Sequence, residues 1–284
     1  MSGGAAPAVK KMPSPVTPTC PVRGCSRPLA GTPGGLACAA GHSFDRARSG
    51  YVNLLTPQDK RSRAPGDPRE AVLARRRTLA RGLGAPLLEA LVRHAAGARG
   101  AVLDVGCGDG HFLAALCARC GLDGWGADVS TPAVDAAARA HPAQHWIAGN
   151  ADRRLPFADG AFDLALSITA RQNPPELRRL LAPDGLLLLV VPAADDLAEL
   201  RAALLGAALP RDRAAAARAR FAPHFALAAR ETVRARQSLD RPALTDLLAS
   251  SYRGVRHRAR ARLDALATPF EVTTAWELLA LRPA

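Results

Sequence analysis

From residue 101 the chain alternates short apolar runs with amphipathic stretches, and this rhythm constrains its fold more than any other feature. "AVLDV" reads as a strand, "GCGDG" as a turn, and "HFLAALCARC" as a helix with apolar residues at helical spacing. "GWGADVS" is a second strand. "TPAVDAAARAH" is a second helix, with Ser130 or Thr131 at its cap and Pro132 in its first turn. "QHWIAG", "FDLALSI" and "LLLLVVP" follow as third to fifth strands, with a helix in "PPELRRLLAPDG" ending at Gly185 and another near 195–208. Strands alternating with helices predict an α/β domain whose mostly parallel sheet is covered on both faces. Two later β-like stretches, around 230–239 and 270–282, predict an antiparallel hairpin at its edge.

The turn after the first strand carries the chemistry. Gly106, Gly108 and Gly110 stand between a strand and a helix, where bare backbone lets a ligand approach the free N–H groups of the helix start. A dinucleotide fingerprint would need glycine at 111, and the residue is His111. Asp128 ends the second strand about 20 residues on, a position from which a carboxylate grips ribose hydroxyls. Asp104 precedes the turn, placed to orient it and to hold an amine. The set resembles the S-adenosylmethionine site of class I methyltransferases, Rossmann-like in fold. "GNADRRLPFADGAFDLALS" extends the resemblance, which implies that Asn150 or Asp152 neighbours the adenine.

A second constellation lies near the start. Cys20, Cys25, Cys38 and His42 form two knuckles about a dozen residues apart, the spacing of a zinc ribbon. Few apolar residues lie between 20 and 45, so a structural Zn²⁺ would supply folding energy that a core cannot. Four protein ligands leave no open position for metal catalysis. Cys107, Cys117 and Cys120 lack such a pattern, and the last two read as ordinary buried or half-buried thiols.

Charge is distributed unevenly. Residues 1–57 and 58–81 each carry a net +5 and residues 201–262 carry +10, whereas residues 101–200 carry −6. Basic flanks suit a polyanion, and Arg75, Arg76 and Arg77 on the predicted helix "EAVLARRRTLA" either reach phosphates or form a solvated face. Only three of the 38 basic residues are Lys, so coding bias also explains part of the excess. No apolar run approaches the roughly 20 residues of a membrane helix. The opening 18 residues read as a disordered lead-in and the chain as cytoplasmic. The expected organisation is a zinc-binding module over 19–56, a basic helical connector over 57–98 and the methyltransferase domain over 99–284.

Together, "CAAGHSFDRARSGYVNLL", "KRSRAPGDPREAVLARRRTLA", "AVLDVGCGDG", "GADVSTPAV", "RLPF" and "RQNPPELRRLLAPDGLLLLVVP" resemble the large-subunit (23S) ribosomal RNA guanine-N1 methyltransferases, a family that includes macrolide-resistance members. The resemblance covers most of the chain. It implies zinc at Cys20, Cys25, Cys38 and His42, a zinc module that helps grip rRNA, and methyl transfer from S-adenosylmethionine to N1 of a guanine. It places Gly106, Gly108, Gly110, Phe112, Leu113 and Asp128 at the cofactor, and leaves a homodimer open. Two positions depart from the family pattern. Gly84 stands where a cofactor-contacting Tyr is expected, and Asp196 stands where a His is expected near the cofactor. These departures keep two other readings open: methylation of a small natural product, and a non-enzymatic binding module with a vestigial pocket.

Overall fold

The structure is a computed structural model that describes residues 16–57, 66–206, 212–250 and 261–284. Residues 1–15 of the expected lead-in lie outside the described residues.

β5 (Ala101–Val105) is buried at all five positions, as a central strand covered on both faces must be. It lies between β6 (Asp123–Asp128) and β8 (Phe162–Ile168), parallel to both. β7 (His145–Ala148) continues the sheet beyond β6, and β9 (Leu181–Pro192) continues it beyond β8. The chain thus builds outward from β5 in one direction, then returns and builds in the other. The order reverses between β5 and β8, and in open α/β sheets ligands bind at the carboxyl ends of strands beside such a reversal.

The expected edge hairpin is present and longer than predicted. β10 (Phe225–Leu239) pairs with β11 (Phe270–Pro283), and β11 runs antiparallel to β9. At the opposite edge a two-residue strand, β4 (Val52–Asn53), pairs in parallel with β7. The sheet order is β10-β11-β9-β8-β5-β6-β7-β4. Strand β4 is too short to leave a periodic signal in the sequence.

One helix is shorter than its sequence suggested. α5 (Pro174–Leu180) stops five residues before Gly185, because Leu181 already pairs with Phe162 in the sheet. Pro183 cannot propagate a helix, so "LAPDG" is extended chain leading into the strand. α3 (His111–Cys120) and α4 (Thr131–Ala140) cover one sheet face with α2 (Ala85–His94). Ser130, not Thr131, caps α4, its Oγ accepting from the N–H of Ala133. α7 (Arg213–Phe221) helps cover the other face, through Ala214, Ala217 and Phe221. A smaller third core gathers α6 (Ala198–Leu205) and α8 (Arg241–Ser250) around Leu83, Leu239, Leu244 and Val272. α1 (Arg69–Ala80) is clasped to α8 by Arg77 and Arg81, which both bind the Asp246 carboxylate.

The cysteine-rich segment forms its own antiparallel sheet of β1 (Leu29–Thr32), β2 (Gly35–Cys38) and β3 (Ser43–Asp45). This module is not hung on a tether. Cys20, Leu29 and Cys38 share a buried cluster with Trp125, Ile147 and Phe157 of the large domain. The N–H of Thr19 donates to the carbonyl of Pro156 at 2.7 Å. The "LPF" loop that receives it is clamped from below. Glu176 accepts the Leu155 N–H at 2.6 Å, and Arg179 donates to Glu176 and to the carbonyls of Leu155 and Phe157.

Glu176→Ala should leave the Leu155 N–H unpaired and the part-buried Arg179 guanidinium with only the exposed Asp159 as a carboxylate partner. A loss of about 3 kcal/mol in unfolding free energy is expected, measured by urea denaturation. An unchanged midpoint would show that the clamp contributes nothing.

Candidate active site and metal centre

The glycine turn crosses the carboxyl end of β5 and is held in shape by a carboxylate. Asp128 Oδ2 accepts the N–H of Gly108 at 3.0 Å, and Oδ1 accepts the N–H of Ser130 at 2.8 Å. Burial raises the Asp128 pKa, opposed by these two N–H donors; Asp67 raises it further and Arg75 lowers it. Both oxygens keep lone pairs, so the carboxylate that shapes the turn can also accept from ribose hydroxyls. Gly110 has φ +78°, and a Cβ there would lie 2.3 Å from the Trp146 ring, so only glycine fits. Trp146 is fixed by its own bond to the carbonyl of His141 at 2.8 Å.

The far wall of the cleft is the segment after β8. Thr169 holds φ at 52°, a left-handed conformation that β-branched residues rarely adopt. The next residue, Ala170, lies so near Gly106 that a Cβ on the glycine would come within 2.5 Å of the alanine Cβ. The loop after β7 is stitched to this wall. Asn173 donates to the carbonyl of Ala151 at 2.9 Å, and Arg171 lies 3.4 Å from Asp152. Asn150 Oδ1 accepts the N–H of Asp152 at 3.0 Å, shaping the expected adenine loop.

Asp104 is 2% exposed, and its Oδ1 has no hydrogen-bond partner among the described residues. Burial, with the charges of Asp128 and Asp109, pushes its pKa up to about 8. A buried carboxylate with an empty acceptor is costly unless a donor arrives. S-adenosylmethionine carries an α-ammonium group and a positive sulfonium, which suits a site surrounded by Asp104, Asp109 and Asp128. The turn, the orphaned acceptor and the acidic surroundings therefore fit that cofactor.

Other expected cofactor residues have different duties in the structure. Leu113 is fully buried in the core and offers the cleft no side chain. Gly84 sits at the start of α2, where an added Cβ would come 2.6 Å from Leu79 Cδ2 and 3.0 Å from Phe112 Cζ. Leu79 and Phe112 thus occupy the space that a larger residue at 84 would need. The Asp196 carboxylate accepts the N–H of Ala275 at 2.9 Å and ties the corner after β9 to β11; burial pushes its pKa up to about 6. The three consecutive arginines point to different tasks. Arg77 is committed to Asp246, Arg75 reaches Asp67 and Ser250, and Arg76 is exposed.

In the N-terminal module the four ligand atoms of Cys20, Cys25, Cys38 and His42 all lie within 4.8 Å of one another. Cys25 and Cys38 sulfurs are 3.8 Å apart, and His42 Nδ1 is 3.4 Å from the sulfurs of Cys20 and Cys38. A tetrahedral zinc with bonds of about 2.3 Å to sulfur places two sulfurs about 3.8 Å apart. Burial opposes ionisation of Cys38, yet the N–H groups of Ala40 and His42 and the neighbouring thiols bring its pKa down to about 6. Burial pushes Cys20 up to about 11. Three crowded thiols ionise together only around a cation, so the donor set fits zinc.

Comparison with known proteins converges on one family. Residues 19–63 match the family described as "RlmA, N-terminal", and residues 102–185 match a methyltransferase domain. The 23S rRNA (guanine(748)-N(1))-methyltransferase of Streptomyces fradiae is 39% identical over 91% of this chain and 95% of its own length. This chain belongs to that methyltransferase family. A protein of Micromonospora griseorubida, provisionally described as a 23S rRNA (guanine-N(1)-)-methyltransferase, is 40% identical over 93% of this chain and 96% of its own. The solved structure reported for conversion of a disulfide into a thioacetal in echinomycin biosynthesis shares the fold, with a TM-score of 0.50 at 18% identity, over 70% of this chain and 81% of that one. The chain is therefore an S-adenosylmethionine-dependent methyltransferase with a structural zinc ribbon, and the methyltransferase family explains the pairing of these two parts.

Two expectations follow. Chelation of the methyltransferase, or Cys38→Ser, should remove about one zinc per chain, read by elemental analysis, and should lower the thermal midpoint because the ribbon shares a core with Phe157. A melt that ignores metal loss would contradict this. For Asp104, the native pKa of about 8 exceeds that of a free aspartate, so stability falls as pH rises from about 4 through 8. A ligand ammonium favours the carboxylate, so binding of S-adenosylhomocysteine near pH 7 should release up to about one proton. Calorimetry in buffers of different ionisation enthalpy measures this, and Asp104→Asn should abolish it.

Proposed function

We propose that this methyltransferase acts on N1 of a guanine in 23S rRNA, and hence works in the cytoplasm where ribosomes are made. The observation that carries the reading is the near-full-length relationship, 39% identity over 91% of the chain, to an enzyme named for that reaction. Electrostatics supports it. Arg23, Arg27, Arg46 and Arg48 are exposed on and beside the ribbon, and Arg76 is exposed on α1. Exposed arginines bind phosphates and give binding a steep salt dependence.

S-adenosylmethionine supplies a methyl group already activated on sulfonium sulfur. The chain's contribution is therefore largely orientation. The turn at Gly106–Gly110 and the wall at Thr169–Ala170 bound the methyl-donor end of the cleft, and the stitched loops at Asn150 and Asn173 fix its adenosine end. The departures at Gly84 and Asp196 favour a second reading, in which the same cleft methylates a small natural product.

Incubation of the protein with unmodified 23S rRNA fragments and S-adenosylmethionine should yield 1-methylguanosine, detected by nucleoside mass spectrometry. Rising salt should weaken RNA binding steeply, and paired substitution of Arg23 and Arg27 by Ala should flatten the slope by up to about 2. Absence of 1-methylguanosine from every large-subunit fragment would reject the rRNA reading and leave the small-molecule one.

A further inference from the structure

Residues 66–75 pack beside the glycine turn and Ser130, although they precede the α/β domain in the chain. Gly66, with φ +80°, packs so closely on Ser130 that a Cβ would lie 2.6 Å from the serine Cβ. Ser130 Oγ donates to the carbonyl of Asp67 at 2.7 Å. Ser130 is the residue whose N–H is held by Asp128, so this strap is fastened to the ribose-binding edge. Arg75 closes the loop. Its Nη2 donates to Asp67 Oδ2 at 2.7 Å and to the carbonyl of Ser250 at 3.2 Å, which anchors the guanidinium to the strap and to α8.

Arg75 Nη1 makes no hydrogen bond among the described residues, and it lies 3.5 Å from where a Cβ on Gly108 would stand. Its Nη1 donors thus face the open side of Gly108, where a side chain would stand. The Gly108 N–H there is already committed to Asp128, so the turn itself offers an anion little. A half-exposed, anchored arginine with idle donors at a cofactor turn is built to receive an acceptor. S-adenosylmethionine has one anionic group, the carboxylate of its methionine moiety.

We propose that Arg75 is a cofactor-binding residue whose Nη1 takes the methionine carboxylate of S-adenosylmethionine, with Asp67 and the Ser250 carbonyl holding the guanidinium in position. Arg75 and Asp104 would then divide a zwitterion between them, the arginine taking the carboxylate and the aspartate the ammonium. The adjacent Arg76, exposed and outside the strap, keeps the role of a phosphate contact. The inference rests on the cofactor assignment made above.

The test compares two ligands on the full chain by calorimetric titration. S-adenosylhomocysteine carries the carboxylate, and 5′-methylthioadenosine keeps the adenosine and the sulfur without the amino-acid portion. Arg75→Ala should weaken S-adenosylhomocysteine about 10- to 100-fold, as expected for a lost charge-assisted bond, and leave 5′-methylthioadenosine within about twofold. Arg75→Lys, which keeps charge but not the fork, should fall between. Equal weakening of both ligands would overturn the proposal, because Arg75 would then act only by holding the strap. Unchanged binding of both, with or without weaker RNA binding, would overturn it as well. Thermal melting checks folding of each variant. If Arg75→Ala does not fold, Arg75→Gln is read in the same way. A wild-type chain that binds neither ligand would instead remove the cofactor assignment.

Discussion

The Asp128 carboxylate is the point on which the site depends. It receives one N–H from the glycine turn and one from the cap of the next helix, joining two loops that come from different strands. Each bond is ordinary in strength, but both loops would otherwise leave buried N–H groups unpaired. Because Ser130 also donates to Asp67, the same carboxylate indirectly positions the strap. The cofactor turn is thus shaped by bonds within the chain itself, and groups held in place in this way lower the ordering cost of binding. The Trp146 wedge under Gly110 gives the turn its second support.

A second dependency runs through the metal. The ribbon has too little apolar surface to fold alone, yet its ligands Cys20 and Cys38 are themselves part of the large hydrophobic cluster. The Pro156 carbonyl receives Thr19, and the neighbouring Leu155 and Phe157 are held by Glu176 and Arg179 of the helix after β8. Zinc coordination, the "LPF" loop and the wall of the cleft are therefore mechanically continuous. The ribbon and the domain that presents the methyl donor share one packed core, so an RNA docked on the ribbon, as proposed above, would be oriented with respect to that domain. That is what orientation-dominated catalysis requires.

Much of this was legible in the sequence because period and spacing encode it. The β5–α3–β6 unit, the fifth strand and the edge hairpin follow from apolar rhythm, and the four zinc ligands follow from knuckle spacing. What could not be read depended on contacts distant in sequence. Strand β4 exists because an edge at β7 was open for two residues. The premature end of α5 reflects the pairing of Leu181 with Phe162, which outweighs local helix propensity. Gly66-Asp67 between two prolines contributed to the family resemblance, but its packing on Ser130 depends on a contact more than 60 residues away and leaves no signal in spacing. Likewise nothing in "ARRR" distinguishes the arginine clasped to Asp246 from the one above Gly108. The family resemblance implied Leu113 at the cofactor, and in the structure its side chain is buried in the core.

The uneven charge acquires a physical meaning once the site is placed. The acidic central segment, net −6 over residues 101–200, contains the three carboxylates that surround the cofactor turn, and that turn must accept a ligand with ammonium and sulfonium charges. The basic flanks supply the ribbon and α1, the surfaces that suit a polyphosphate. A polyanion would be repelled from the acidic turn and attracted to its surroundings, whereas the cationic cofactor experiences the reverse. Segregating the two fields keeps each ligand out of the other's place without steric exclusion. Arg75 is the exception that tests this logic, since it is a basic residue brought by the flank into the acidic field. Asp67 and the field of Asp128 hold it there, and the proposal adds the cofactor's own carboxylate, which always arrives with the methyl group, as the acceptor for the Nη1 donors that Asp67 does not engage.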